Sequence, residues 1–326
     1  MRIGTTQAGG PGPMRPPAPH DPRPALPEPG VAGGWVVPGR PGGLGLLREV
    51  CAVPRTLRAH ADLLRSGLGR ELSARFRGSA LGFGWVLLTP LALFAIYAFL
   101  FTRVLGLRMG PNAPAAAMGV YMYIGTLAWA GVSEGIARGT TSVLESRHLV
   151  SKLRFPAELL PLQAALASLV PTVVGLALFA LVATATDLWA APGARLLWAP
   201  VVLFVQLLMT VGPALALAAW HVRLRDTAQL VGVGLTVAMF ATPVFWVASP
   251  ALLPGIEPLL GWIELNPYHH LLQCWRSVLM GDEPQVVFER TEFLSSLGRA
   301  ASFGALSCLF GLAVFLRGRR ELADEV

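Results

Sequence analysis

Lysine is almost missing: Lys152 is the only one in 326 residues, and the other permanent cations are all arginine. A phosphate-binding loop of the Walker A kind needs a glycine-rich turn followed by Lys and then Ser or Thr. Lys152 stands in VSKLRF, with no glycine nearby and Leu153 behind it. The chain therefore has no recognisable nucleotide-hydrolysing site of this kind, and any ATP-driven work needs an ATPase on another polypeptide. Charge is scarce as well, at 14% of residues, against roughly 25% in a soluble domain. Cys51, Cys274 and Cys308 are scattered, unlike a metal site, a redox pair or a disulfide framework. No paired carboxylates and no Ser/His/Asp or Cys/His set has supporting context, so an enzyme is a weak fit. His269 and His270 are adjacent, point to different helix faces and lack a third ligand, so an interfacial aromatic role fits better than metal.

What is present is apolar. Hydrophobic residues make up 54% of the chain and the mean hydropathy is +0.57, which describes a polytopic membrane protein. The formal charge of +7 sits mostly at the ends of apolar runs, where it sets membrane orientation and does not signal nucleic acid. Six runs are long enough for a hydrocarbon core that needs about 20 residues: 85–105, 115–137, 159–186, 196–220, 227–247 and 300–316. Pro90, Pro171, Pro200, Pro213 and Pro243 interrupt them, as membrane helices tolerate. One side of the membrane would hold Arg65, Arg70, Arg75 and Arg77, then Arg138, Arg147, Lys152 and Arg154, then Arg223 and Arg225, then Arg317, Arg319 and Arg320. The other holds Arg103, Arg108, Arg195, Arg276, Arg290 and Arg299, diluted by Glu257, Asp282 and Glu283. The richer side faces the cytoplasm, and both termini with it.

The organisation along the chain follows. Residues 1–47 are Pro- and Gly-rich without apolar periodicity; they lack the h-region of a secretory signal and are expected to be disordered. Residues 48–82 are expected to form a cytoplasmic amphipathic region, with Leu68, Leu72, Phe76 and Ser79 on one helix face, Arg70 and Arg77 opposite, and Glu71 and Arg75 at the flank; a plain positively charged stop before a membrane helix is the alternative. The six-span body occupies 83–326. Between spans two and three, RGTTSVLESRHLVSKLRFPAELLP carries Leu149, Val150, Leu153 and Phe155 among cations, stopped by Pro156. A short helix on the membrane surface or docked in a partner's groove explains those apolar insertions; an ordinary solvated connection is the alternative. Between spans five and six, two apolar pieces at 252–263 and 268–280 are too short to span, and read either as re-entrant helices or as surface helices on the outer leaflet.

Smaller signals are less specific. Glu134, at the inner end of span two, is a functional candidate or a partner for Arg138 one turn on. Asp187 reads as a helix end. Gly131, Gly135 and Gly139, and likewise Gly78 and Gly82, are spaced for close helix approach.

The order of these pieces resembles a known family: RELSARFRGSALGFGWVLLTPLALFAIYAFLF, then YIGTLAWAGVSEGIARGTTSVLESRHLVSKLRFPAELLPL, a short WHVRLRDTAQL loop, TPVFW, and LNPYHHLLQCWRSVLMGD before the last span. The chain from about Leu63 onward resembles the permeases of type-2 ABC exporters that move O-antigen, capsule, teichoic acid or galactan. That resemblance implies an all-α membrane protein, a homodimer of six-span subunits joined to two copies of a separate ABC ATPase that binds ATP and magnesium. This chain itself would hold no cofactor or metal and would not be an enzyme. The family's K-x-x-F-P pattern matches Lys152, Phe155 and Pro156, placing the coupling helix over Leu149, Val150 and those residues. Arg70, Glu71, Arg75 and Arg77 would belong to the interface helix, Arg225 and Asp226 to the second cytoplasmic loop, and Asn266, Pro267, Arg276 and Gly281 to re-entrant helices at the outer gate.

The mechanism so implied is mechanical: ATP closes the partner dimer, the coupling helices move, and a lipid-linked glycan threads outward from the inner leaflet. Sugars stack on aromatic rings, which makes Tyr97, Phe101, Tyr121, Tyr123 and Trp129 candidates for the path, with a lipid-facing aromatic belt as the alternative. A drug or small-lipid exporter of the same superfamily is the nearest competing function; a membrane-embedded glycosyl- or acyltransferase is a more distant one. Arginine in place of lysine, with abundant Ala, Gly and Pro, points to a GC-rich bacterial genome. The protein would then sit in the bacterial inner or plasma membrane.

Overall fold

The computed structural model describes residues 58–106, 116–147, 156–185, 192–250, 252–280 and 290–325, with 52, 55, 56 and 109 besides. Both the Pro/Gly-rich head and the stretch 148–155, which carries Leu149, Val150, Lys152 and Phe155, lie outside the described residues, as does Gly281.

Among the described residues all regular structure is helical. Helix α1 (Ala61–Phe76) leads through a turn and a 3-10 segment (Gly82–Gly84) into α2 (Trp85–Phe99), which ends in a π-helical turn over Leu100–Val104. Then come α3 (Ala117–Glu145), α4 (Leu159–Ala185), a 3-10 segment (Gly193–Trp198) running into α5 (Ala199–Arg223), and α6 (Thr227–Ala241). Two short helices, α7 (Glu257–Leu265) and α8 (Pro267–Leu279), precede α9 (Arg290–Glu325). Four helical stretches are long and apolar enough to cross a membrane: Gly82–Phe99, Leu159–Ala185, Gly193–Arg223 and Glu292–Gly318.

The two remaining expected spans differ for separate reasons. Helix α3 has 29 residues, ample length, yet is not among the four. Its tyrosines, tryptophan, glycines and Glu134 lower its hydropathy because it lies in the middle of the chain, packed by α2, α4, α5, α6 and α8. Helix α6 has only 15 residues and stops at Ala241, short of the expected 227–247. Pro243 therefore does not interrupt a span but follows its end, and Pro200 lies in the first turn of α5, where a missing N–H costs nothing. Pro90, Pro171 and Pro213 do lie inside helices.

Gly78 and Gly82, spaced as if for helix packing, do not share a helix: Gly78 lies in the turn after α1 and Gly82 opens the 3-10 segment. Their φ angles are +80° and +50° and nothing crowds either, so they are the left-handed corners that turn α1 into α2. Gly131, Gly135 and Gly139 do pack. A Cβ on Gly131 would come within 2.9 Å of Gln206 Nε2 and collide with the Thr172 hydroxyl, and one on Gly139 would meet Ala214 at 2.6 Å. The stripe thus seats α3 against α4 and α5 of its own chain. Helix α9 lies along α5, where the two backbones meet at Gly311 and the Gly212 carbonyl.

Candidate functional site

Two polar constellations are built on α3, one near each end. At the C-terminal end, α1 crosses α3 and exchanges charges with it. Arg75 donates to Glu134 Oε2 at 2.8 Å, and Arg138 donates through Nε to Glu71 Oε1 at 2.9 Å, with its Nη2 on the same oxygen. Each helix presents its two charges one turn apart, so the pairs form a crossed quartet. Glu134 is thereby taken by Arg75 and not by Arg138, its neighbour in sequence. The expected faces of α1 shift accordingly: Glu71 and Arg75 turn inward beside Leu68 and Leu72, while Arg70 and Arg77 stay exposed and Ser79 falls beyond the helix end. Gln163 on α4 holds the other end of α1, donating to the Leu63 carbonyl at 3.2 Å. A cleft of about 350 Å³ opens beside the quartet, lined by Arg70, Arg77 and Arg138, by the carboxylates Glu71 and Glu145, and by Thr141 and Ser142. A second, of about 440 Å³, is lined by Arg75 and Glu134 together with Trp85 and Thr89 of α2 and Thr172 of α4.

On the same side, Arg225 and Asp226 are exposed in the short turn joining α5 to α6, held by Thr227 Oγ1 donating to the Leu224 carbonyl at 2.6 Å. Pro156 is buried, and its carbonyl accepts from the Leu159 amide at the start of α4.

The other constellation centres on Arg276 of α8. Counted in sequence among flanking cations, Arg276 is in fact wholly enclosed, with 0% exposure. Its guanidinium stacks on the Tyr121 ring, 3.4 Å from the centroid, while Nη1 donates to the Tyr121 hydroxyl at 2.7 Å and Nε to the Tyr121 carbonyl at 3.3 Å. Nη2 donates to the carbonyls of Pro243 and Val244 at 2.8 and 3.2 Å. Those two carbonyls belong to the irregular backbone just past the early end of α6. Irregular backbone deep in a membrane protein survives only where protein supplies the missing hydrogen bonds, and here one arginine fork supplies them. Gly125 makes the room, since a Cβ there would lie 2.5 Å from Nη2.

Asn266 and Pro267 begin α8. The Asn266 side chain caps the helix by accepting from the Tyr268 amide at 3.0 Å, and donates to Thr242 Oγ1 at 2.8 Å; Pro267 occupies the first turn. The same residue therefore ties α8 to the end of α6. Helix α8 is buried over most of its length, whereas α7 buries only Ile263 and exposes Trp262 and Leu265. His269 and His270 are both buried; His270 Nε2 lies 2.7 Å from the Glu264 carbonyl, and no metal-holding cluster occurs among the described residues.

The five aromatic residues expected along a sugar path are placed as follows. Tyr121 is covered by Arg276. Tyr123 donates to the Gly175 carbonyl at 2.9 Å and packs edge-on with Phe94. Trp129 meets Tyr268 edge-on at 5.5 Å, and Phe101 lies 6.0 Å from Tyr97. All but Tyr97 are buried within the chain; Tyr97 is half-buried, with its hydroxyl 3.4 Å from Thr126 Oγ1.

The sequence reading passed over Gln206, a lone amide in the run VVLFVQLLMT. It is fully buried, donates to the Ala128 carbonyl at 3.1 Å and accepts from Trp275 Nε1 at 2.7 Å, so it joins α3, α5 and α8. A polar side chain inside an apolar span was signal enough to flag it. Thr242 and Gly125 had no such signal, because their partners come from distant segments.

The family model for the ABC-2 type transporter matches residues 63–280. The chain belongs to the ABC-2 type transporter family. It is similar to the O-antigen export system permease protein RfbA of Myxococcus xanthus, 34% identical over 69% of this chain and 82% of the relative. Two proteins of that name from Klebsiella pneumoniae are 23% and 21% identical, each over 81% of this chain and 94% of the relative.

Proposed function

We propose that this chain is the permease subunit of an ATP-driven exporter that moves a lipid-linked cell-surface polysaccharide of the O-antigen class across the bacterial inner membrane. The likeness over most of the chain to permeases named for O-antigen export is the observation that carries the reading. The ATPase is a separate subunit, in keeping with a chain that has no Walker lysine. Two permeases and two ATPases make the complex. Helices α3 and α6 complete six crossings, α6 with the irregular backbone that Arg276 supports, and both termini face the cytoplasm. On this reading the inner constellation receives force and cargo. The coupling helix over Leu149–Pro156 and the exposed Arg225–Asp226 turn engage the ATPase, while the quartet makes α1 move with α3. The arginine-lined cleft beside it faces incoming phosphate-bearing substrate. Helices α7 and α8 form the outer gate; the enclosure of α8 by protein supports a re-entrant α8, with α7 lying at the surface beside it. Of the five candidate rings, we keep Tyr97 for the sugar path between two copies and assign Phe101, Tyr121, Tyr123 and Trp129 to packing.

The test is a pull-down from native membranes with partners identified by mass spectrometry. A soluble ATPase with its own Walker motifs should co-purify and be lost on Phe155→Ala, since an anchor of a docked helix carries much of the binding energy. Recovery of the permease alone, in a membrane where other ABC pairs stay together, overturns the reading. Purified complex should export lipid-linked glycan into vesicles; export of small lipids or drugs instead would favour the competing exporter.

A further inference from the structure

Two hollows adjoin at the outer end of α4 and α5, far along the chain from the quartet. One, of about 270 Å³, is lined by Arg195, Trp198, Ser277 and Phe293. The other, of about 390 Å³, is almost wholly apolar and lies between the C-terminal half of α4 and the first turns of α5, with Leu176, Leu203, Trp275 and Leu279 among its walls. Both draw walls from the same two segments: Arg195 and Leu196 stand side by side in the 3-10 segment, and Val278 and Leu279 side by side on α8. Trp198 stands edge-on to Phe293 at 5.5 Å and is more than a third exposed, as an indole at a membrane–water boundary should be. A cationic pocket and an apolar groove walled by the same two segments offer one lipid a place for its phosphate and a place for an acyl chain.

We infer that this is a phospholipid site: a glycerophospholipid of the outer leaflet places its phosphate beside Arg195 and Trp198 and lays an acyl chain in the groove against Trp275 and Leu279. Charge complementarity selects the occupant, because the bilayer offers phosphate at this depth. A guanidinium has five donors, enough to serve a phosphate alongside a protein partner. The consequence concerns the gate. Trp275 and Leu279 flank Arg276 on α8, and Trp275 also donates to Gln206. The lipid therefore presses on the face of α8 beside its arginine anchor and holds that helix in its seat. The inference rests on the orientation proposed above, which an independent measurement checks: Arg195→Cys should react with a membrane-impermeant maleimide added outside intact cells.

The deciding experiment is native mass spectrometry of the full permease–ATPase complex released from nanodiscs of phosphatidylglycerol and phosphatidylethanolamine. Wild type should retain a phospholipid under activation that strips loosely held lipid. Ala177→Trp, which fills the groove from its exposed lip, and Arg195→Gln, which removes the charge, should each lower retention roughly tenfold, the weight of one charge-assisted hydrogen bond. Phe204→Trp, on an exposed face outside the groove, should leave it unchanged. Equal retention in wild type and Ala177→Trp overturns the site. A retained polyprenyl phosphate, seen when the complex comes from native membranes, overturns the phospholipid assignment and makes this a substrate track. Neither readout requires transport, so a failed export assay leaves this test standing.

Discussion

Helices α2 and α3 run side by side and divide the chain's polarity in a way that inverts a soluble protein. Helix α2 is strongly apolar yet buries only Val86 and Pro90, and presents Leu87, Leu88, Leu91, Ile96 and Phe99 outward. Helix α3 is the more polar and buries 19 of its 29 residues, including both tyrosines, Trp129 and Thr140. In lipid, apolar surface gains nothing by turning inward, because acyl chains are as apolar as leucine. What must turn inward are backbone and side-chain polar groups that lipid cannot satisfy. Between these two helices, therefore, the one with the weaker span signal is the one the others pack around.

If that contrast is right, the costliest single change removes the polar anchor of the buried region. Arg276→Leu orphans the Pro243 and Val244 carbonyls and the Tyr121 hydroxyl, all enclosed. Leaving a buried acceptor without its donor costs about 1–3 kcal/mol for each group. Thermal unfolding in detergent should shift strongly downward, and Arg276→Lys, which keeps the charge without the fork, should recover only part of it. Next comes Gly131→Leu, which drives a side chain into Thr172 and Gln206. Overpacking of this kind costs about 1–3 kcal/mol, read by the same melt. An unaffected melt in either variant would mean that α3 is not the packing centre.

How much of this was readable beforehand follows the same physics. The spans at 159–186 and 196–220 nearly coincide with α4 and α5, because both touch lipid and are written in apolar residues. The end of α6 was missed: TPVFW looks like continued span, and the arginine that permits the helix to stop lies more than thirty residues later. Arg276 was read as a flanking cation for that reason, since burial by distant segments leaves no local mark. The partners of Glu71, Arg75, Glu134 and Arg138 were equally hidden; each was noticed as a charge, but helix crossing alone decides who pairs with whom. Asn266–Pro267, by contrast, is a local cap and first-turn pair, legible where it stands.

The quartet sits between the two extremes, half in solvent, and its effect should be smaller. Glu134→Arg sets two arginines against each other where an ion pair of 27% exposed side chains stood. Pairs of that exposure are worth about 0.2–1 kcal/mol, so the melt should move little while coupling of ATP hydrolysis to export falls. Adding Arg75→Glu restores the opposite charges and should restore coupling; failure of that double swap, with the complex still assembled, would count against α1 moving with α3.

The smallest effect should come from the most apolar face. Ile96 is 58% exposed on α2, on the face that the contrast above assigns to lipid. In water, truncating a buried isoleucine to alanine costs about 2–5 kcal/mol. Ile96→Ala should instead change stability by less than about 0.5 kcal/mol, as at an ordinary exposed surface, because a methylene traded for acyl chain loses little transfer energy. The measurement is the same detergent melt repeated in nanodiscs, where lipid contacts are kept. A large loss would show that this face of α2 is covered by protein, which in the proposed two-copy complex would be the second permease. The variant thus tells lipid from partner on a face that composition alone cannot assign.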